Sequence, residues 1–460
     1  MTFYNTKLAK VNPIKDSNLL MREEPFGILI YNKITKRKFF ANNVAKDIIN
    51  SCNGKRSIPE IFSTLYSNEA PNKNYEEFIN FLKRLIQAEI IHAKNLFCKE
   101  VENYKNLNSF YPYNIPNITL NLKTPLHIYW ELTYKCNLNC KHCYVKDREL
   151  KTRELSTREC LKIIDELARL KIFEITFSGG EPLMRNDLLG IIKYTTKKGI
   201  VALITTNGTL IDYNTANKLK KAGLQAAQVS LDGFNAKTHD EFRGQSGSFE
   251  TTINGIKNLI KAKIPVIIAT LPTKFNFFEI KKILNLAKKL KVQGYRILEC
   301  KSFGRGKEAI KNTITPGGYK SLLNWITIER RKLKDELFIL LSESFAFKIN
   351  NQFSRIPNKP LIDCPAGRSM CSISPDGFVS PCSYFAFAGI TIGSLRQRNL
   401  KEIWQKSSFL KKLRKIDFSK KKFNAKNCLK CKYFNRCGRG CRAIAYSLTN
   451  NLNELDPRCL

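Results

Sequence analysis

Cys136-Asn137-Leu138-Asn139-Cys140-Lys141-His142-Cys143-Tyr144 is the stretch on which the reading of this chain turns. Three cysteines fall within eight residues, so each can give a thiolate to one metal centre. A four-iron cluster held wholly by protein takes four Cys thiolates, and three leave one iron open to a ligand from outside the chain. The alternative is zinc. Zinc ligands usually come as Cys pairs separated by a longer loop, and no second pair lies close by. His142 reads as a loop residue rather than an acid or base. With only four His in the chain, a His-centred acid–base site is not expected.

Downstream of this loop, short apolar runs alternate with amphipathic segments. Strands are expected at Leu126–Leu132, Phe173–Phe177, Val201–Thr205, Ala226–Leu231, Ile264–Thr270 and Tyr295–Leu298. The clearest helix opens on the capping box Ser156-x-x-Glu159 and carries Cys160, Ile163, Ile164 and Leu167 on one stripe. Six βα units imply a parallel sheet with helices outside, an α/β fold. Four motifs fall at or just beyond successive strand ends: Gly179-Gly180-Glu181-Pro182, Thr206-Asn207-Gly208, Ser230-Leu231-Asp232-Gly233 and His239-Asp240-Glu241-Phe242-Arg243-Gly244. Open parallel folds bind ligands at that edge, and glycines let a backbone approach a ligand closely.

The three-Cys spacing with its following aromatic, and these motifs in this order, resemble the radical S-adenosylmethionine (SAM) superfamily. The resemblance implies a partial (β/α)6 barrel over residues 125–304. It also implies a [4Fe-4S] cluster on Cys136, Cys140 and Cys143 whose open iron chelates the amino and carboxylate groups of SAM. Gly179, Gly180, Glu181 and Pro182 would receive the methionine amino group. Asn207, Ser230 and Asp232 would meet the remaining polar groups, and Arg243 would grip the methionine carboxylate with a bidentate fork. The cofactor would carry the hard chemistry while the barrel positions it and excludes water. A low-potential electron donor, flavodoxin or ferredoxin, is the implied redox partner.

Residues 305–360 read as a connecting segment, and residues 361–460 are dense in Cys and Gly, so metal is expected to substitute for a large core there. Cys364, Cys371, Pro375-Asp376-Gly377-x4-Cys382, Cys428-x2-Cys431-x5-Cys437-x3-Cys441 and Cys459 resemble the SPASM extension, which carries auxiliary iron–sulfur clusters. That resemblance implies a first auxiliary [4Fe-4S] cluster on Cys364, Cys371, Cys382 and Cys441. A second would take Cys428, Cys431, Cys437 and Cys459. Cys371 is the variable member, because related enzymes differ there, and without it one iron of the first cluster is open. A structural zinc on Cys428–Cys441 is the competing reading. Cys52, Cys98, Cys160 and Cys300 fall outside every motif, and Cys160 belongs to an apolar helix stripe.

Residues 1–93 read as a winged-helix-like α+β module. A hairpin joins Gly27–Tyr31 to Lys38–Ala41. Helices follow at Asn43–Ser51, from the Ser57-x-x-Glu60 capping box to about Tyr66, and from about Tyr75 to Ala88. Residues 12–91 resemble the peptide chaperone of the pyrroloquinoline quinone pathway, the precursor-peptide recognition element. Such modules bind a leader peptide as an added strand, here near Lys36–Phe40, where Lys33, Lys36, Arg37 and Lys38 suit an acidic leader. Residues 94–124 read as a linker. Across nearly its full length the chain looks like radical maturases of ribosomally made peptides, above all those that join a Cys sulfur to an α-carbon. Leu126–Tyr144, Ser230–Phe249 and Phe303-Gly304-Arg305-Gly306 carry that likeness.

Lys and Arg number 78 against 39 Asp and Glu, a formal charge of +39. The lysines run through the whole chain without a dense basic tail or an Arg stripe, which favours solvated surfaces over a nucleic-acid partner. The N-terminal residues 1–16 show no apolar core of a secretion signal, and no run approaches a membrane span. Clustered cysteines in such a chain read as metal ligands in a reducing cytoplasm. Two competing functions remain open at this stage: a radical SAM/SPASM enzyme of cofactor or haem maturation, and a non-catalytic iron–sulfur protein that binds nucleic acid.

Overall fold

Residues 11–24, 27–33, 38–66, 71–93, 122–145, 148–299, 303, 305, 312, 314–333, 336–341, 364–416 and 440–456 are described by a computed structural model. The chain divides into two units, Met1–Ile118 and Thr119–Leu460.

In the first unit, β1 (Ile14–Lys15), β2 (Leu19–Glu24), β3 (Gly27–Asn32) and β4 (Lys38–Ala41) precede α1 (Asn43–Ser51), α2 (Ile58–Leu65), α3 (Pro71–Gln87) and β5 (Ile91–His92). β3 pairs antiparallel with β4, Tyr31 opposite Lys38, as the hairpin pattern predicts. The turn at 34–37 lies outside the described residues. The three-stranded sheet has the order β2-β3-β4. β2 was hidden in the sequence because one of its faces carries buried charge: Arg22 and Glu24 are paired at 2.7 Å, while Leu19 and Met21 on the other face pack on the core. A fully paired ion pair hides from water but not from a hydropathy pattern. The capping box of α2 forms as expected, Glu60 accepting from the Ser57 backbone N–H. α3 begins four residues earlier than the apolar stripe suggests, because Pro71 suits a first helical position and the first turn is polar. Ile28, Ile30, Ile48, Ile49, Ile61, Phe62, Phe78 and Leu82 close the core of this unit.

The second unit is built on one sheet with the strand order β12-β11-β10-β9-β8-β7-β6-β13-β14-β15. Here β6 is His127–Thr133, β7 Glu174–Gly179, β8 Val201–Thr206, β9 Ala226–Ser230, β10 Val266–Thr270 and β11 Gly294–Ile297. These are the six strands expected from sequence, each pairing parallel to the next. Between them run α4 (Thr157–Arg169), α5 (Leu188–Lys197), α6 (Tyr213–Lys221), α7 (Ala236–Arg243), α8 (Ser248–Lys261) and α9 (Ile280–Lys289). Along β6, Ile128, Trp130 and Leu132 join the helix-facing core, while Tyr129, Glu131 and Thr133 take the opposite face.

Two regions depart from the sequence reading. β12 (Phe338–Leu341) lies within the segment read as a connector and pairs parallel with β11. The described part of the tail adds strands and apolar side chains to the main core. Its β13 (Met370–Ile373) pairs parallel with β6, continuing the sheet, and β14 (Phe378–Ser380) and β15 (Gly393–Ser394) extend it antiparallel. Phe385, Leu400, Trp404, Leu410 and Ile444 join the same apolar core as the barrel strands. These strands are two to four residues long, too short to show a period. Arg396 braces this region to α4, donating to Glu159 at 2.8 Å and to the carbonyls of Arg153 and Glu154.

Candidate functional site

The Cys136–Cys143 loop leaves the C-terminal end of β6 and is pinned by three other segments. The end of α7 holds it: Asn139 donates its backbone N–H to the Arg243 carbonyl and Lys141 to that of Phe242. Gly244 caps α7 with φ 68°, and a Cβ there would meet the Asn139 carbonyl at 2.4 Å. Arg305 closes the loop from the far side, its N–H on the Cys143 carbonyl at 3.0 Å and its guanidinium on the Cys140 carbonyl at 3.3 Å. The third segment is Gly179-Gly180-Glu181. Gly180 and Glu181 donate to the carbonyls of Thr133 and Lys135, both at 2.8 Å, and a Cβ at Gly180 would fall 2.2 Å from the Lys135 carbonyl. The close backbone approach that these glycines permit is therefore to the loop itself.

The sulfurs share one neighbourhood. Cys136 and Cys143 are half-buried and Cys140 is buried. Cys136 feels both other thiols, its sulfur accepting from the Leu138 N–H at 3.5 Å, and the Arg243 guanidinium reaches the Cys140 sulfur at 3.7 Å. Donors aimed at sulfur stabilise thiolate and tune a cluster. Among the described residues, no three His, Cys, Asp or Glu side chains crowd round one point as a single ion would require. Three thiolates on one loop are the donor set of a four-iron cluster with one open iron.

Glu181 ties two motifs together. Fully buried, its carboxylate accepts from the Thr206 hydroxyl and the Asn207 N–H, both at 2.8 Å, and from the Leu183 N–H. Asn207 in turn donates to Asn137 inside the cysteine loop at 2.9 Å. Burial pushes the Glu181 carboxyl up to about 7, against the pull of those hydrogen bonds. The unfolded chain ionises it near its ordinary 4.5, so the folded state holds the proton more tightly. Stability is thus lost as pH rises from about 4.5 through about 7. We expect Glu181→Gln to gain about 2–3 kcal/mol relative to the parent between about pH 4.5 and about pH 8, measured by chemical denaturation at both values. A difference independent of pH would contradict the reading.

Asp232, read from sequence as a cosubstrate contact, lies just beyond the C-terminal end of β9. It is fully buried, one oxygen accepting from the Leu271 N–H at 2.7 Å and the other paired with Arg243. Arg243 is correspondingly committed, one terminal nitrogen to Asp232 and the other to the Cys140 sulfur. Among the described residues the buried Nε of Arg243 has no hydrogen-bond partner. An orphaned buried donor beside the cysteines fits a cosubstrate carboxylate. Ser230 is half-buried at the end of β9. Pro182 is buried and opens a short 3-10 turn. His142 stacks on Phe242 at 4.5 Å, in keeping with a loop residue.

In the tail, Cys382 neighbours Cys364 and Cys441. Cys382 and Cys441 each sit at the N-cap of a helix, Ser383–Phe387 and Arg442–Thr449. Cys371 lies on β13, with no exposure. Cys428, Cys431, Cys437 and Cys459 lie outside the described residues, as do Cys98 and Cys300. An aromatic wall spans the distance between the two cysteine sets. Tyr144, beside Cys143, approaches Tyr384 at 6.1 Å and Phe387 at 4.6 Å, and Tyr384 stacks with Phe303 at 6.3 Å. Arg148 lies over the Phe387 ring and pairs with buried Glu131 at 3.1 Å.

Sequence reasoning missed three parts of this site. Asn137 was hidden by its neighbours in the cysteine motif. Asp240 accepts from Gly247, Ser248 and Phe249 and so caps α8 from inside the α7 motif. Tyr384 is two residues beyond a cysteine, and only tertiary proximity gives it a place.

Residues 130–287 match the family described as the radical SAM superfamily, and residues 364–432 match the iron–sulfur cluster-binding domain SPASM. The chain is 35% identical to the AdoMet-dependent heme synthase of Methanosarcina barkeri over 348 residues, covering 73% of this chain and 96% of that protein. It is 31% identical to the mycofactocin maturase MftC of Mycolicibacterium smegmatis, covering 74% of this chain and 83% of that one. Streptococcus suis SuiB, solved with S-adenosylmethionine and with its precursor peptide SuiA, has a like fold: TM-score 0.70 at 17% identity, over 97% of this chain and 99% of that one.

Proposed function

Because the chain belongs to the radical SAM superfamily and carries a SPASM region, with the SAM-binding four-iron cluster and auxiliary iron–sulfur clusters these imply, we propose that it modifies a ribosomally made precursor peptide, joining a Cys sulfur to an α-carbon. When bound, the cluster and SAM would supply the radical chemistry that takes a hydrogen atom from substrate. The rest of the work falls to this chain. Cys136, Cys140 and Cys143 hold the cluster. The Nε of Arg243 orients the cosubstrate carboxylate, Glu181 fixes the Gly179–Asn207 cradle, and Ser230 offers a hydroxyl. Crosslinking removes one hydrogen atom by way of the radical. It also releases the thiol proton and one further electron, which an auxiliary cluster accepts. That cluster takes Cys364, Cys382 and Cys441, with Cys371 as its variable fourth member, and a second takes Cys428, Cys431, Cys437 and Cys459. Residues 1–93 bind the leader as a strand on the edge of the β2-β3-β4 sheet, where Lys33 and Lys38 favour an acidic segment. A low-potential flavodoxin or ferredoxin delivers the electron in the cytoplasm.

The observation that carries the peptide reading is extent. The likeness to SuiB, a protein solved with a precursor peptide, covers 97% of the chain, whereas the 35% identical heme synthase leaves about a quarter of it unmatched. The extra length has a core of its own. The test is anaerobic incubation with dithionite, SAM and a Cys-containing precursor peptide. Release of 5′-deoxyadenosine with loss of a pair of hydrogens from the peptide is expected. A second reading, radical chemistry on a small tetrapyrrole, is favoured by that same 35% identity. Modification of an iron porphyrin with the peptide left untouched would establish it instead.

A further inference from the structure

Among the described residues three phenylalanines are exposed: Phe234 at 38%, Phe275 at 52% and Phe278 at 86%. All three stand on the loops that follow β9 and β10, at the edge of the sheet where the cysteine loop leaves β6. A single exposed apolar side chain is ordinary. Rings gathered on neighbouring loops mark a surface that another molecule covers.

These loops are tightly built. Buried Asn276 donates to the carbonyls of Asp232 and Leu271 at 2.8 and 2.9 Å and accepts from the Thr273 N–H at 2.7 Å. Lys274 donates its N–H to the Asn312 carbonyl at 2.7 Å. Glu279 ties one loop to the other, its carboxylate accepting from the Phe234 N–H at 3.1 Å and the Thr238 hydroxyl at 2.7 Å. Phe277 packs on the main core, and Phe278 stands edge-on to it at 5.4 Å. The framework thus holds Phe275 and Phe278 in water, where an apolar ring gains little from folding.

The rings are set in positive charge. Lys282 lies over Phe234 at 4.9 Å and Lys141 over Phe275 at 5.4 Å. Lys237 and Lys274 are exposed on the same loops. The acidic groups here are Glu279, already engaged by the loops, and Glu241, paired with Lys141 at 2.8 Å and held below its ordinary range by Lys141 and Lys237. Lys141 itself sits between Cys140 and Cys143. Phe275 is therefore one side chain away from the cysteine loop.

We propose that Phe234, Phe275 and Phe278, with the lysines around them, form the docking face for a small acidic one-electron carrier protein. Aromatic anchors inside a charged rim are the anatomy of a protein interface, and a basic rim steers an acidic partner onto it. Electron transfer falls steeply with distance, so a carrier must cover the surface nearest the cysteines. One electron crosses, no bond forms, and the carrier leaves oxidised by one electron. The inference rests on the reading above that a low-potential carrier feeds the enzyme, and it is indifferent to the substrate.

The test uses the reconstituted full chain with SAM and no peptide, under anaerobic conditions, driven either by reduced flavodoxin or by dithionite. Binding of oxidised flavodoxin is titrated separately at low and high salt. Phe275→Ser with Phe278→Ser is expected to weaken binding and flavodoxin-driven release of 5′-deoxyadenosine about tenfold, the loss of one interface anchor, with dithionite-driven release unchanged. Lys237→Glu with Lys282→Glu should do the same and flatten the salt dependence. Lys218→Glu with Lys221→Glu, an equal charge change on exposed positions of α6, should bind like the parent. Parent-like binding by either patch variant overturns the proposal, as does a parent that binds no flavodoxin. Equal weakening by the patch and α6 charge variants overturns it too, since net charge alone would then act. A phenylalanine variant that changes peptide affinity or self-association, but not flavodoxin binding, gives the face to that other occupant. Loss of peptide modification with flavodoxin binding intact would instead sink the peptide reading and leave this face standing.

Discussion

Alanine in place of any one of Cys136, Cys140 or Cys143 is expected to abolish reductive cleavage of SAM, a fall of at least about a thousandfold, or about 4 kcal/mol in transition-state terms. The loss is chemical rather than structural. The loop is held by backbone bonds to Phe242 and Arg243, by Arg305 on the Cys140 and Cys143 carbonyls, and by Gly180 and Glu181 on Thr133 and Lys135. None of those bonds uses a sulfur. Each variant should therefore melt close to the parent while losing one cluster's iron and all release of 5′-deoxyadenosine. Chromatography of dithionite reactions decides it. Cleavage retained in any of the three variants would remove the cluster from this loop.

Deleting residues 1–93 should separate the two halves of the activity. Uncoupled SAM cleavage is expected to persist, because the strands and cysteines that serve it lie beyond residue 125 and close their own core. Peptide modification at low peptide concentration should fall about a hundredfold, since leader affinity, not chemistry, is what goes. The deleted part has a separate apolar core built on Ile30, Ile49, Phe62 and Leu82. Mass spectrometry of the peptide, beside chromatography of the adenosine product, reads both effects in one reaction. Unimpaired modification would leave residues 1–93 without the leader-binding role.

What could be read beforehand followed from period and order. Six short apolar runs alternating with amphipathic segments, the first four followed by motifs, were enough for the parallel sheet. The capping boxes at Ser57 and Ser156 marked two helix starts, and both form. What escaped shares a physical reason: pattern reading treats charge as surface and needs length. Arg22 and Glu24 neutralise each other inside β2, and Asp232 and Arg243 do the same beside the cysteines. Both pairs are buried, and only three-dimensional pairing explains why. The tail strands offer two to four residues each, and the partner of β13 lies more than two hundred residues earlier in the chain. The motif glycines were legible as close-approach positions. Which atoms they approach was not, because that depends on the loop folding back over β7.

The strand β13 has a mechanical consequence. Because it is zipped to β6, the Cys364–Cys382 hairpin hangs from the same girder that ends in the Cys136–Cys143 loop. Stretching the gap between the two cysteine sets would mean tearing a row of main-chain bonds, not swinging a hinge. The span is therefore a fixed gauge, and the guest must bend to fit it.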